Sequence, residues 1–180
     1  PGDRVVIFTE RIETMNYLAE HLRTDLGLKS SAIQEISGGM SDAEQQRIVE
    51  DFGRTESPIR ILVASDVASE GLNLHYLSHR LIHFDIPWSL MVFQQRNGRI
   101  DRYGQQKRPD IRYLLIESNN KQIKGDMRII EILIQKEEQA LKNIGDPALL
   151  LGKFNVEEEE TVIAEAIESG SDADTFAQSL

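Results

Sequence analysis

Between residues 4 and 116, short β-branched runs alternate with segments of helical period, and this alternation limits the possible folds more than any other feature of the sequence. Arg4-Val5-Val6-Ile7-Phe8-Thr9 is a nearly continuous apolar run, the pattern of a strand covered on both faces as in a parallel sheet. Ile12, Met15, Leu18, Ala19, Leu22 and Leu26 then recur at spacings of three and four, which predicts a helix, and Gly27 stands where a C-terminal cap would end it. A second strand is expected over Ala32 to Ile36. Gly38-Gly39 makes a turn after it, and Ser41-x-x-Glu44 is a capping box opening a helix with Ile48, Val49 and Phe52 on its apolar face. Further strands are expected over Arg60 to Ala64, Leu81 to Phe84 and Ile111 to Ile116, with a helix capped by Ser89 running to about Asn97. Strands and helices in this rhythm form right-handed βαβ units, hence an α/β fold with a mostly parallel sheet and helices on both faces. Ligands of such folds bind at the carboxyl ends of the strands.

After Glu117 the pattern changes. Ile123, Met127, Ile130, Ile134 and Leu141 predict a long amphipathic helix ending near Gly145, expected to pack on the preceding lobe. Its mixed polar face argues against a membrane helix. From Gly152 onward, the acidic run Glu157 to Glu160 and the stretch Ser169-Gly170-Ser171-Asp172 predict a partly disordered acidic tail with a short helix at best. The expected organisation is thus 1–117, 118–150 and 151–180. There is no cysteine, which removes disulfides, thiol catalysis and cysteine-ligated zinc. No run reaches the roughly 18 apolar residues of a membrane span, and the start Pro1-Gly2-Asp3-Arg4 carries no signal region, as expected of a cytoplasmic protein of which this chain is a piece.

Twenty Lys and Arg stand against 30 Asp and Glu, a net charge of −10 that at face value opposes nucleic acid as a partner. Residues 1–115 hold 14 basic and 16 acidic side chains, however, and residues 116–180 hold 6 and 14, so the acidity lies mainly in the C-terminal third. The densest basic cluster is Gln94-Gln95-Arg96-Asn97-Gly98-Arg99-Ile100-Asp101-Arg102-Tyr103-Gly104-Gln105. If that segment is helical, Arg99 and Arg102 share a side and could meet a triphosphate, where fixed guanidinium forks stabilise charge on a transferring phosphoryl group. Surface ion pairs with Asp101 and Asp110 are the plainer alternative. Val63-Ala64-Ser65-Asp66-Val67-Ala68-Ser69-Glu70-Gly71-Leu72-Asn73-Leu74 places a hydroxyl, a carboxylate and a glycine after a buried strand, suited either to a polar ligand or simply to turning the chain.

In order and spacing these segments resemble the second RecA-like lobe of superfamily 2 helicases and translocases, in particular the Swi/Snf-type family, over about residues 4–116. Val6-Ile7-Phe8-Thr9 is similar to motif IV, Ser65 through Asn73 to motif V, and Gln95-x-x-Gly98-Arg99-x-x-Arg102-x-Gly104-Gln105 to motif VI, the most specific of the three. Ser37-Gly38-Gly39-Met40 followed by Gln46-Arg47 resembles the turn and helix after motif IV. Ala68-Ser69-Glu70-Gly71 and Asn97-Gly98 depart from the eukaryotic remodellers and resemble bacterial members, the RapA-like branch. The resemblance implies a RecA-like three-layer fold, with Arg99 and Arg102 as arginine fingers. It also implies that Gln95, Glu70, Gly71, Asn73 and Asp66 lie near ATP, Asp66 pairing with a motif VI arginine, and that Thr9, Gly38, Gly39 and Ser65 lie along nucleic acid.

No Gly-x-x-x-x-Gly-Lys-Ser/Thr and no strand-terminal Asp-Glu-x-x occurs, so ATP and Mg2+ would be held mainly by an N-terminal RecA-like lobe absent from this sequence, and the chain by itself is expected to hold neither. The function this implies is the C-terminal motor lobe of an ATP-dependent translocase on DNA, or on RNA or a nucleoprotein such as RNA polymerase, with no membrane partner. The competing expectation is a non-catalytic docking module. His75, His79 and His83 are spaced by four, but His83 falls in an expected strand and the others on its approach, so the spacing does not mark a metal site. Trp88 could stack on a base or pack between sheet and helix. Arg47, Arg54, Arg60, Lys107, Arg108 and Arg112 could track phosphates or simply be solvated.

Overall fold

A computed structural model describes residues 3–66, 72–116, 125–144, 156, 160–161 and 164–165. Five strands, β1 (Arg4–Thr9), β2 (Ile33–Ile36), β3 (Ile61–Ser65), β4 (Ser78–His83) and β5 (Asp110–Tyr113), form one sheet in the order β2-β3-β1-β4-β5. Every neighbouring pair is parallel. The longer helices among the described residues are α1 (Ile12–Asp25), α2 (Asp42–Phe52), α3 (Leu90–Asn97) and α4 (Gly125–Ile144).

Alternation along each strand sorts the apolar run of β1 into two cores. Ile7 and Val63 pack with Met15, Leu18 and Ala19 of α1, while Val6, Phe8, Leu62 and Leu81 pack with Phe52 and, at its margin, Ile48 and Val49 of α2. The sheet therefore has a helix layer on each face, which is why its central strands tolerate no polar alternation. This is the expected three-layer α/β fold.

The local signals act as their chemistry predicts. Ser41 and Glu44 close a reciprocal capping box at the start of α2. At the end of α1, Gly27 has φ +59° while the Leu28 and Gly27 amides donate to the Arg23 and Thr24 carbonyls, a Schellman closure. At the amino edge of the sheet, the buried Arg4 donates to the Arg54 and Ser57 carbonyls and lies 5.5 Å from the Phe52 ring centroid, tying the loop after α2 to β1.

The strand boundaries, the setting of Arg99 and Arg102 and the buried face of α4 differ from the expectation. β4 begins at Ser78, so His79 also lies in the strand, and β5 ends at Tyr113 because its partner ends at His83, opposite Tyr113. α3 stops at Asn97, and Arg99 and Arg102 follow in turns, so a shared helical face is not what brings them together. Among the described side chains of α4, Ile129, Ile130, Ile132 and Leu133 are buried, whereas Met127 and Ile134, expected on the apolar stripe, are each 44% exposed. Five apolar residues among positions 129–134 leave the 3.6-residue period without a unique phase.

The chain divides into two compact units, residues 1–85 with 95–114 and residues 86–94 with 115–180. The first contains the sheet, α1 and α2. In the second, Gln94 donates to Glu137 at 3.4 Å and Trp88 is 38% exposed. Of the expected acidic tail, residues 156, 160–161 and 164–165 are helical and the rest lies outside the described residues.

Candidate functional site

β1 is the centre of the sheet; the chain leaves it toward β2 on one side and later passes to β4 on the other. The carboxyl ends of β3, β1 and β4 therefore enclose a crevice of the kind that α/β folds use for ligands. Thr9 and Ser65 are register partners at the ends of β1 and β3, both buried, and the Ser65 hydroxyl has no hydrogen-bond partner. Asp66 follows β3 and Asp85 follows β4.

Arg96 joins these ends. Its side chain has no exposed surface; its Nε and Nη2 donate to the Asp66 carboxylate at 2.5 and 2.7 Å, and Nη2 also reaches Asp85 Oδ1 at 3.0 Å. Nη1 donates to the Asp85 carbonyl at 2.9 Å and lies 3.4 Å from His83 Nδ1. Burial opposes the charge, but Asp66 and then Asp85 outweigh it and raise the guanidinium above its usual range. Because a guanidinium cannot accept, His83 Nδ1 is the accepting nitrogen and Nε2 carries the proton donated to Asn97 Oδ1 at 2.8 Å. Burial, assisted by the Arg96 charge and opposed by the Asn97 hydrogen bond, brings this imidazole down to about 4. The Thr9 hydroxyl and the Glu10 amide both donate to Asp85 Oδ2.

Residues 72–74 are laced to the turns beyond α3. Leu74 N–H donates to the Arg99 carbonyl at 3.3 Å, Arg99 Nη1 to the Leu72 carbonyl at 3.4 Å, and Arg102 to Asn73 Oδ1. Arg99 Nε also donates to the Gln95 carbonyl at 3.0 Å. Gln105 fixes the far end, its amide donating to the carbonyls of Ser78, Ile100 and His75 at 2.9, 3.0 and 3.3 Å. Gly104, at φ +96°, makes this bend with its Cα side facing His75, a conformation that disfavours any side chain. Arg102 is exposed, its partner is a neutral amide, and no carboxylate pairs with it among the described residues. The result is an open positive charge next to a part-buried arginine whose side chain is aimed by backbone carbonyls.

A family model described as "Helicase conserved C-terminal domain" matches residues 1–104, more than half of the chain and all the strands that build the crevice. The chain belongs to this family. The helicase lobe is 32% identical over 110 residues to the RNA polymerase-associated protein RapA of Vibrio campbellii and 29% identical to that of Vibrio cholerae. Each alignment covers 61% of this chain but 11% of the relative, so the chain spans about a tenth of those proteins. Among solved structures, the C-terminal part of the Fun30 ATPase domain superposes with a TM-score of 0.56 and 24% identity, over 63% of this chain and 35% of that one. Domain 2 of the DEAD-box helicase Mss116p, bound to an RNA duplex, gives 0.56 and 20% over 73% and 46%. At those identities they bear on fold alone, and it is the fold found here: a C-terminal RecA-like helicase lobe.

Of the residues singled out by sequence, the helicase lobe gathers Asp66, Asn73, Gln95, Arg99 and Arg102 around the β3 and α3 ends, with Thr9 and Ser65 beside them on the strand ends. Gly38 and Gly39 are exposed in the turn after β2, and Glu70 and Gly71 lie outside the described residues. Asp66 pairs with Arg96, and neither Asp101 nor Asp110 engages the three clustered arginines. Arg96, Asp85 and His83 were not picked out as site residues. Arg96 sits inside the basic cluster, but only the stop of α3 at Asn97 shows which of the three arginines turns inward. Among the scattered basic residues, Arg54, Lys107 and Arg112 are paired with Asp51, Asp3 and Asp110. No group of three potential metal ligands occurs among the described residues, and no helix there is long and apolar enough to cross a membrane.

Proposed function

We propose that this lobe is the second motor lobe of an ATP-dependent translocase of Swi/Snf type, working on double-stranded DNA and completing an ATP site whose other half is an N-terminal RecA-like lobe. The observation that carries the reading is the exposed Arg102 guanidinium, held by the neutral Asn73 amide, beside Arg99, aimed by the Gln95 and Leu72 carbonyls. Arginines kept poised without a carboxylate on Arg102 suit a polyanion, and this set fits the phosphates of ATP. With no acidic cluster among the described residues, it does not fit Mg2+, which the first lobe would hold. ATP supplies the transferable phosphoryl group. Arg99 and Arg102 neutralise the charge that accumulates on it, while Gln95, Asn73, Glu70 and Gly71 shape the nucleotide side and Asp66 fixes Arg96. Thr9, Ser65, Gly38 and Gly39 are assigned to the nucleic-acid side: the exposed Gly38-Gly39 turn offers backbone amides, groups that hold phosphates without reading bases, while Thr9 and Ser65 lie buried beneath that side at the strand ends. The RapA relatives make RNA polymerase the nucleoprotein partner to test first.

In the full-length protein, Arg99→Ala and Arg102→Ala are each expected to lower DNA-stimulated ATP turnover by about a thousandfold, with the circular-dichroism spectrum and melting temperature preserved. Turnover near wild type in both variants rules out the finger assignment.

A further inference from the structure

Next to the arginine turn lies a groove of about 410 Å3, lined by Gln46, Val49 and Glu50 of α2, by Arg54 just past it, and by Asn73 and Tyr76. Its volume is that of a small-ligand site. Asn73 joins the groove to the arginines. Its Oδ1 accepts Arg102, which leaves the two N–H groups of the same amide without an acceptor among the described residues.

The charge changes across Asn73. On one side stand Arg99 and Arg102, whereas on the groove side the Glu50 carboxylate offsets Arg54, whose Nη1 is held by Asp51 at 3.1 Å. With no surplus of positive charge, the groove does not favour a second phosphate. It suits the neutral end of a molecule whose anionic end meets Arg102.

The groove also carries groups for such an end. Gln46 Nε2 donates to Glu50 Oε1 at 3.1 Å, which steadies the carboxylate and leaves Oε2 to accept from a sugar hydroxyl. Tyr76 is 69% exposed, yet its ring rests on that of the buried His75 with centroids 4.2 Å apart. The His75 carbonyl in turn accepts the Gln105 amide at 3.3 Å. An exposed aromatic ring backed by an anchored one is a platform for a flat heterocycle.

We propose that this groove is the nucleoside subsite of the lobe, taking the ribose and base of the nucleotide whose phosphates meet Arg99 and Arg102. Tyr76 stacks on the base, Glu50 accepts from the ribose hydroxyls, and Asn73 donates at the seam between sugar and phosphates. The inference rests on the ATP reading given above. It makes the lobe select for the sugar and base of its nucleotide as well as for the charge of the phosphates.

The test measures KM and kcat of the full-length protein on saturating duplex DNA, with ATP and 2′,3′-dideoxy-ATP as substrates, in Tyr76→Ala and Glu50→Ala. Both side chains are exposed, and alanine favours the helix in which Glu50 lies, so the fold is expected to persist. Tyr76→Ala should raise KM for both nucleotides by about tenfold, as loss of one base–aromatic contact does. Glu50→Ala should raise KM for ATP by about tenfold and leave that for the dideoxy nucleotide in place, since only ATP offers the hydroxyls. These losses fall on KM more than on kcat, because the groove meets atoms that do not change during hydrolysis. An unchanged KM for ATP in either variant, or an equal rise for both nucleotides in Glu50→Ala, overturns the proposal. Should Tyr76→Ala fail to fold, Tyr76→Leu, which keeps bulk without the ring, takes its place under the same criteria. Turnover lost in Arg99→Ala beside an unchanged KM in the groove variants removes the groove and keeps the fingers. Wild-type turnover in Arg99→Ala would instead remove the finger assignment beneath it.

Discussion

Three arginines within seven residues end in three electrostatic states: Arg96 enclosed by two aspartates, Arg99 half-buried under backbone carbonyls, and Arg102 in water on a neutral amide. The gradient runs from a structural charge to one available to a ligand. His83 is tied to the same enclosure and gives it a pH signature. Its unfolded imidazole takes up a proton near 6.5, whereas the folded one resists until about 4. Between those values the unfolded chain binds more protons, so stability must fall as pH drops through that window, by on the order of 3 kcal/mol from this group. Urea midpoints measured from pH 7.5 to 4 should show the decline, and His83→Gln should flatten it; equal slopes in the two proteins contradict the account. At this scale the sequence disclosed Arg99 and Arg102 through their pattern with Gly98 and Gln105. It could not disclose Arg96, because the inward turn depends on two aspartates that lie 30 and 11 positions away and meet it only when β3 and β4 are side by side.

At the scale of elements, chemistry at the termini set the start of α2 and the end of α1. The Ser41 and Glu44 box starts α2, and the positive φ of Gly27 ends α1. No atom lies within 4 Å of a Cβ placed on Gly27, so the penalty of Gly27→Ala is conformational and not steric. It should amount to about 1 kcal/mol in urea unfolding; an unchanged midpoint would mean that the Schellman closure relaxes without cost. Where a boundary is set by a neighbour, local signals fail. β5 stops where β4 stops, although Leu114, Leu115 and Ile116 continue its apolar run in the sequence. β4 starts at Ser78, whose hydroxyl donates to the Arg4 carbonyl at 2.9 Å, an anchor to β1 that nothing within the strand announces.

The whole chain carries −10, yet the lobe to residue 115 is nearly balanced, and its exposed basic side chains, Arg11, Lys29, Arg47, Arg54 and Arg108 among them, are scattered around Arg102 without forming one strong patch. The isolated 180-residue chain should therefore bind duplex DNA weakly, lose that binding between about 50 and 200 mM salt in fluorescence anisotropy, and turn over no ATP. Arg99-dependent turnover by the chain alone would contradict the two-lobe reading. The layered α/β class was legible in full because two-sided burial writes itself into strand composition; the division into two compact units, which interrupts the chain at residues 86–94, was not, since it follows spatial clustering instead of sequence order. The sheet order also bears on how the lobe is made. β1, the first of its strands to be synthesised, is the central one, yet its partners β3 and β4 come more than 50 and 70 residues later. Its apolar run must wait through that interval unpaired, which makes residues 4–9 the segment of a nascent or truncated lobe that a chaperone or an aggregating chain would meet first.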